Sequence, residues 1–251
     1  MADAIFADPR LAAVYDAFDG PRNDLDAYVA IVHELAAQSV IDVGCGTGVL
    51  ARRLAGMGID VVGVDPAAAS LDVARQATGA ERVRWILGTA ADLPPLGADL
   101  AVMTGNVAQV FVGDDEWRST LTAIGGALRA GGLLVFETRD PAARGWERWT
   151  PEATMGRVDL AGGGSLRRWT ELAGVRLPFV SFRHCFDFSD GTFVVSDSTL
   201  RFRERDELVA DLAFAGFAVR EIRDAPDRLG LEWVFIAEQV DAVSVARAGA
   251  A

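Results

Sequence analysis

Three glycines at alternate positions follow a short apolar run early in the chain. Segment 40–48 reads Val-Ile-Asp-Val-Gly-Cys-Gly-Thr-Gly, and a second apolar run, 61–64, leads directly to Asp65. A β-turn-α-β unit that binds a nucleotide has this pattern, because glycines let the backbone approach the ligand and the acidic residue accepts hydrogen bonds from ribose hydroxyls. We therefore expect a nucleotide-like cofactor where these two predicted strands end.

The spacing of the glycines distinguishes between cofactors. A dinucleotide fingerprint has the form Gly-x-Gly-x-x-Gly, whereas Gly44, Gly46 and Gly48 are separated by one residue each and follow Asp42. This arrangement resembles motif I of the class I methyltransferases that use S-adenosylmethionine (SAM). The resemblance implies SAM as the cofactor and S-adenosylhomocysteine (SAH) as the product.

Other segments carry the same resemblance. Gly131 and Gly132 precede an apolar run, as glycines do at the fifth strand of this family. By resemblance, Asp92 and its neighbours bind the adenine, Asn106 contacts the methionine part, and Tyr15 lies on a helix that covers the cofactor. The cofactor-binding residues predicted from the motif and the resemblance are Tyr15, Asp42, Gly44, Cys45, Gly46, Gly48, Asp65, Pro66, Ala91, Asp92, Leu93 and Asn106.

Several of these residues also have a purely structural interpretation. Asp65 precedes a proline and suits the start of a helix, Asp92 suits a surface loop, and Asn106 suits a turn. Tyr15 suits the packing of an amphipathic ring in a core. For the glycine motif the functional interpretation is stronger, because Asp42 and Asp65 stand in register with it.

Residues that would act on a methyl acceptor are harder to assign, so no catalytic residue is predicted. The sulfonium of SAM is already a good leaving group, and a general base is needed only when the acceptor arrives protonated. Possible bases are His184, Glu137 and Asp140, although a lone histidine in a strand is more often structural. Other acceptor-side residues are two arginines that could hold an acidic substrate and three tryptophans that could line an apolar pocket: Arg139, Arg144, Trp146, Trp149 and Trp169.

Strands and helices alternate along much of the chain, which indicates a parallel sheet with right-handed crossovers. Residues 157–202 instead alternate with a period of two between glycine turns, which is typical of antiparallel strands. We predict an α/β fold: a Rossmann-like, doubly wound sheet of seven strands, mostly parallel with an antiparallel last strand, plus an antiparallel β insertion after strand five. The seven strands are predicted at 40–43, 60–64, 83–87, 99–103, 133–138, 218–222 and 232–237.

The pattern also predicts how the chain is organised. Residues 1–37 form a helical segment, with helices at 11–18 and 25–37, that covers the cofactor site. The remaining segments are the SAM-binding core at 38–144, the β insertion on the substrate side at 145–203, the C-terminal part of the core at 204–240, and a mobile tail of small residues at 241–251.

Composition limits the class of protein and its partners. The chain has 251 residues, 51% of them hydrophobic, and a net charge of −12, which repels nucleic acid. Cys45 and Cys185 form no metal-binding pair, so we expect no metal and a reducing compartment. The sequence shows no signal peptide and no membrane span. We expect a cytoplasmic monomer or homodimer without nucleic-acid or membrane partners.

Three functions are compatible with a nucleotide-binding motif of this kind. The leading hypothesis is a SAM-dependent methyltransferase that acts on an oxygen or nitrogen atom of a small-molecule metabolite. The first alternative is a non-catalytic SAM-binding protein of the same fold. The second is an NAD(P)-dependent oxidoreductase, which is disfavoured because the dinucleotide fingerprint is absent and the chain contains no lysine for a Tyr-x-x-x-Lys pair.

Overall fold

The computed structural model describes residues 2–18, 20, 22–160 and 162–240, so the tail predicted at 241–251 lies outside the described residues. Strands in this part of the chain form one sheet of seven and one sheet of four. In chain order they are β1 (Ser39–Val43), β2 (Asp60–Asp65), β3 (Val83–Leu87), β4 (Ala98–Met103), β5 (Leu128–Arg139), β6 (Gly156–Asp159), β7 (Ser165–Arg176), β8 (Phe179–Phe188), β9 (Phe193–Arg201), β10 (Phe217–Asp224) and β11 (Glu232–Gln239).

Helices connect these strands and precede the first of them. Short 3₁₀ turns, such as those at Tyr15–Phe18 and Ala90–Asp92, complete the connections. Within the described ranges, no helix combines the length and the apolar character that crossing a membrane requires. The α-helices are α1 (Ala4–Ala7), α2 (Pro9–Ala12), α3 (Asp26–Glu34), α4 (Val49–Gly56), α5 (Ala68–Gln76), α6 (Asp114–Ala127), α7 (Pro151–Thr154) and α8 (Arg205–Phe214).

The seven-stranded sheet has the order β10-β11-β5-β4-β1-β2-β3. Strands β1 to β5 are parallel, and β11 runs antiparallel to both of its neighbours, β5 and β10. The predicted fold is therefore confirmed. Because β1 lies between β2 and β4, the strand order reverses at β1, and a crevice opens at the carboxyl ends of these strands.

Both faces of the central strands are buried, which explains why they are almost entirely apolar. In β1, Val40 packs with residues of α3 and α4 on one face of the sheet. Ile41 and Val43 pack with α6 and α8 on the other face. A strand held on both faces has little freedom, so its carboxyl end places Asp42 and the following glycine turn firmly.

The predicted antiparallel insertion is the four-stranded sheet β6-β7-β8-β9. Its β8 pairs with both β7 and β9, and one face of the sheet carries most of its buried side chains. On that face Leu166 and Phe186 pack against Ile5 and Leu11 of the N-terminal segment. Further along, Val180 and Phe182 pack with Trp146 and Phe202. The insertion thus has its own core, to which the N-terminal residues contribute.

The N-terminal segment differs from the two helices predicted at 11–18 and 25–37. Helix α2 is short, and residues 15–18 form a 3₁₀ turn instead of continuing it. Asp8 caps α2, because its side chain accepts a hydrogen bond from Arg10 N at 2.8 Å. Helix α3 ends at Glu34, and Ala36 has a positive φ of 52° that a helix does not continue through. The segment bends because Ile5 and Leu11 both pack on the second sheet.

Candidate cofactor and acceptor site

A cavity of about 340 Å³ opens at the carboxyl ends of β1, β2 and β4, a volume within the range of small-molecule sites. The glycine turn after β1 forms one wall, and the N-terminal segment covers it. Seven of the predicted cofactor-binding residues line the cavity: Tyr15, Asp42, Gly44, Cys45, Gly46, Asp65 and Pro66.

The three glycines of the turn have positive φ, of 72° at Gly44, 53° at Gly46 and 73° at Gly48, which side chains resist. A Cβ atom at Gly44 would lie 2.7 Å from Val107, and one at Gly48 would lie 2.3 Å from the ring of Trp85. At Gly46, by contrast, no atom lies within 4 Å of such a Cβ. Gly44 and Gly48 are therefore required by packing, whereas Gly46 leaves bare backbone facing open space.

Asp65 joins the ends of β2 and of the glycine turn. Its Oδ2 accepts a hydrogen bond from Gly46 N at 2.8 Å, and its Oδ1 accepts one from Ala67 N at 2.8 Å. The carboxylate thus holds the backbone before α5 and also lines the cavity, so the structural and the ligand-binding interpretations are compatible. Each oxygen retains a second lone pair for a hydroxyl donor. Burial raises the pKa of this carboxyl above its usual value.

Asp42 lines the same cavity and is only 2% exposed. Burial, and then the charge of Asp65, raises the pKa of Asp42 to about 7. Burial also raises the pKa of the Cys45 thiol, so this side chain stays protonated and does not act as a thiolate. Two adjacent carboxyl groups in one cavity favour a ligand that carries positive charge.

After β3, the residues that line the cavity are not the ones that the sequence predicted. Gly88, Thr89 and Ala90 line it, whereas Ala91, Asp92 and Leu93 do not. The Asp92 carboxylate instead accepts hydrogen bonds from Thr89 N at 2.8 Å and Thr89 Oγ1 at 3.2 Å, which caps the turn. In this conformation Asp92 is exposed and folds back on its own loop, so its role in binding adenine stays a prediction.

Asn106 is buried behind the cavity wall and does not line it. Its backbone has φ 62°, and its N–H donates to Glu137 Oε1 at 3.0 Å. Its side-chain Nδ2 donates to Glu232 Oε2 at 3.1 Å. These bonds hold the turn after β4, so that Thr104 and Gly105 reach the cavity. The contact of Asn106 with a cofactor stays a prediction.

Tyr15 lines the cavity from a 3₁₀ turn and not from the predicted helix, and its contact with a cofactor stays a prediction. The cover is tied to the glycine turn, because Thr47 Oγ1 donates to Asp16 Oδ1 at 2.9 Å. The prediction missed other lining residues of the N-terminal segment, among them Phe6 and Arg22. Their sequence carries no motif, and only the tertiary fold brings them to the glycine turn. The sequence did contain one indication that another segment covers the turn, which is the hydroxyl of Thr47 within the glycine motif.

The possible bases differ in environment. Thr170 Oγ1 lies 2.9 Å from His184 Nδ1, and burial, followed by the charges of Arg168 and Arg139, lowers the pKa of His184 to about 4. His184 is therefore neutral at pH 7. Burial raises the pKa of Glu137 to about 7. Glu137 also accepts a hydrogen bond from the Tyr28 hydroxyl and lies below the cavity wall.

The remaining acceptor-side residues are mostly structural. Asp140 caps a 3₁₀ turn by accepting a hydrogen bond from Ala142 N at 2.7 Å, and Arg144 is exposed and pairs with Glu147 at 2.7 Å. Two of the tryptophans pack in the core of the insertion, because Trp146 lies 4.7 Å from Phe202 and Trp149 lies 4.6 Å from Phe182, measured between ring centres. Trp169 Nε1 donates to Glu171 Oε1 at 2.7 Å. The guanidinium carbon of Arg139 lies 5.5 Å from the ring centre of Trp149.

The sheet order, the glycine turn after β1 and the paired aspartates define a class of protein. Residues 40–132 match the family model described as "Methyltransferase domain". This segment therefore resembles that family, and nearly the whole chain has the fold of class I methyltransferases. The resemblance predicted from the glycine motif is confirmed.

Individual proteins share this domain. The chain is 41% identical over 115 residues to an uncharacterized methyltransferase of Mycobacterium tuberculosis, and the match covers 45% of each chain. The chain thus spans about half the length of such curated relatives.

Solved structures resemble nearly the whole chain. The methyltransferase CcbJ from Streptomyces caelestis superposes with a TM-score of 0.74 at 24% identity, covering 92% of this chain and 96% of that one. SAM-bound CalS10, an amino pentose methyltransferase from Micromonospora echinaspora, superposes with a TM-score of 0.66 at 20% identity, covering 88% and 93%. At such identities the similarity shows the fold.

Proposed function

We propose that this chain transfers a methyl group from SAM to an oxygen or nitrogen atom of a small molecule. The observation that carries the proposal is the cavity at the strand-order reversal, where bare backbone at Gly46 meets two buried carboxyl groups, Asp42 and Asp65. The glycine turn and both carboxyl groups lie within residues 40–132, the segment that matches the methyltransferase-domain model. The SAM-bound state of CalS10, which has the same fold, supports SAM as the cofactor.

The residues of the cavity fit the groups that SAM carries. Asp65 has free lone pairs for the ribose hydroxyls, and Asp42 provides negative charge for the ammonium group. When bound, SAM supplies a methyl group on a positively charged sulfur that is a good leaving group. The protein then has to align the acceptor and exclude water, and the cover formed by Phe6 and Tyr15 is placed to exclude it.

A small-molecule acceptor is supported by two features. CalS10 is described as an amino pentose methyltransferase involved in calicheamicin biosynthesis. The net charge of −12 disfavours a nucleic-acid substrate. The choice between oxygen and nitrogen, the oligomeric state, the cytoplasmic location and the division of the chain into segments remain predictions.

Thermal unfolding with SAM, SAH and NAD, followed by an assay of methyl transfer, distinguishes the three functional hypotheses. A ligand that binds only the folded state raises the melting temperature, and the stabilisation grows with the logarithm of its concentration relative to its dissociation constant. We expect SAM and SAH to stabilise the protein and NAD to have no effect. Stabilisation by NAD alone would support the oxidoreductase. SAM binding without methyl transfer to any acceptor in a metabolite library would support the non-catalytic binding protein.

The variant Asp65→Ala tests the site itself. Loss of a carboxylate that pairs with buried hydroxyls should weaken SAM binding by about 1–3 kcal/mol, measured by calorimetric titration. Asp72→Ala is the matched control, because Asp72 is an exposed residue of α5 whose ion pair among the described residues is with Arg75, at 3.5 Å. Unchanged SAM affinity in Asp65→Ala would remove Asp65 from the site.

A further inference from the structure

Arg139, the last residue of β5, lies where the two sheets meet. Its guanidinium carbon is 5.5 Å from the ring centre of Trp149, and its Nη1 donates to Gln109 Oε1 at 2.8 Å. Gln109 directly precedes Val110, which lines the cavity together with Tyr15. The side chain of Arg139 remains 24% exposed. Arg139 does not itself line the cavity; it is held one residue behind the lining residue Val110 and close to Tyr15, with part of its side chain exposed.

Arg139 is not needed to neutralise the nearby carboxylate of Glu232. Arg228 Nη1 contacts both oxygens of Glu232 at 2.8 Å, and Asn106 Nδ2 donates to it at 3.1 Å. Arg139 approaches the same carboxylate through Nε, at 3.4 Å. Its Nη2 makes no hydrogen bond to any residue that the structure describes. The guanidinium therefore retains donors that the described residues do not use, although its charge interacts with Glu232 and Glu137.

The second sheet presents further donors and a second cation towards Arg139. His184 and Thr170 are cross-strand partners on β8 and β7, and their bond uses Nδ1 of the imidazole. Nε2 of His184 is left without a hydrogen bond among the described residues. Arg168, on the same face of β7, has its guanidinium 4.3 Å from the ring centre of Phe18. The acidic groups near Arg139 are Glu232 and Glu137, both buried beneath it.

We propose that Arg139 binds a carboxylate group of the methyl acceptor. The planar fork of an arginine matches a carboxylate, and a hydrogen bond from a charged donor is stronger than one between neutral groups. A single negative charge fits better than a phosphate dianion, because two buried glutamates accompany the guanidinium. The inference rests on the proposed methyl transfer, and it assigns the acceptor to the class of small organic acids.

The test measures binding of matched probes to the protein saturated with SAH. The probes are 4-hydroxybenzoate and indole-3-acetate, each compared with its neutral amide, and affinities are measured by ligand-observed NMR. We expect at least one acid to bind about tenfold more tightly than its amide, and Arg139→Gln to abolish this preference. Arg139→Lys, which keeps the charge but loses the fork, should retain part of it. Arg144→Gln, an exposed arginine of the same segment, is the control and should keep the full preference.

The outcomes separate this inference from the proposed function. Saturation with SAH is measured first, and failure of SAH to bind would contradict the methyltransferase proposal itself. If SAH binds, the inference is overturned when no acid is preferred over its amide or when the preference survives in Arg139→Gln. Thermal unfolding of each variant in the presence of SAH shows that the fold is intact, and Arg168→Gln, which should weaken the preference, provides a second position.

Discussion

The pair of carboxyl groups at the strand ends controls the charge of the cavity. Asp65 is engaged by two backbone N–H groups at 2.8 Å, which favour its ionised form. Asp42 is more deeply buried, and its pKa of about 7 places its titration near neutral pH. A ligand with a fixed positive charge favours ionised Asp42, so binding and proton release are coupled at this residue.

SAM affinity should therefore depend on pH through Asp42. Below pH 7 the free protein carries a proton on Asp42, and binding of a cation has to displace it. We expect calorimetric titration to show affinity rising from pH 6 to pH 8, with a slope of at most about tenfold per pH unit. Asp42→Asn cannot ionise, so its affinity should be lower and nearly independent of pH. An equal slope in both proteins would exclude Asp42 as the coupled group.

At the scale of single residues, the sequence predicted the part of the site that is local in the chain. Gly44, Gly46 and Asp65 could be placed because a short strand–turn–helix unit brings them together. The orientation of the Asp92 side chain could not be predicted, because a ligand and the N–H of its own loop compete for the carboxylate. The sequence did not distinguish Arg139 from Arg144. The structure does, because Arg139 packs against Trp149 whereas Arg144 is exposed.

At the scale of secondary-structure elements, the glycine turn is shaped by the strand beside it. The indole of Trp85, on β3, lies against both Gly48 and Gly63, where a Cβ atom would come within 2.3 Å and 2.8 Å of the ring. Its Nε1 donates to Ala80 O at 3.0 Å, which fixes the ring. Gly48 thus positions α4 against β3, while the cavity is lined by the glycines before it.

Substitution of Gly48 should therefore cost more than its backbone conformation alone. Gly58, which follows α4 with φ 90° and open space around it, provides the comparison. We expect Gly58→Ala to lower the free energy of unfolding by about 1–2 kcal/mol, the cost of the left-handed conformation. Gly48→Ala should add about 1–3 kcal/mol for the overlap with Trp85. Urea unfolding measures both, and equal losses would show that Trp85 moves aside freely.

The predictability of the elements follows the range of their contacts. Strands β1, β2 and β4 could be located because each is a mostly buried, mostly apolar run, and β1 and β2 also lead to a glycine or an acidic residue. The insertion of β11 between β5 and β10 could not be derived, because strand order depends on pairing between distant segments. Residues 11–18 were predicted as one helix, whereas the structure has two short helices before residue 13 and a 3₁₀ turn at 15–18, because the apolar spacing does not reveal which sheet the segment packs against.

At the scale of the whole molecule, the N-terminal segment links the two sheets across the cavity. Two serines of β9 bond this segment. Ser196 Oγ accepts a hydrogen bond from Ile5 N at 2.9 Å, and Ser198 Oγ donates one to Asp3 Oδ2 at 2.5 Å. On the other side, Ser70 Oγ of α5 donates to the carbonyl oxygen of Phe6 at 3.0 Å. The cover of the cavity is therefore held by both sheets, so a change in the insertion should reach the cofactor site.

The double variant Ser196→Ala/Ser198→Ala tests this link. Loss of two hydrogen bonds that position the cover should weaken SAH binding by about 1–3 kcal/mol, which is about fivefold to 150-fold, because bonds of this kind contribute about 0.5–1.5 kcal/mol each. Asp197→Ala removes an exposed side chain from the opposite face of the same strand, where it pairs with Arg183 at 3.0 Å, and should leave the affinity unchanged. If calorimetry gave the same SAH affinity for the double variant as for the control, the cover would be held without β9. A loss confined to the double variant would mean that the insertion contributes to cofactor binding through the N-terminal segment.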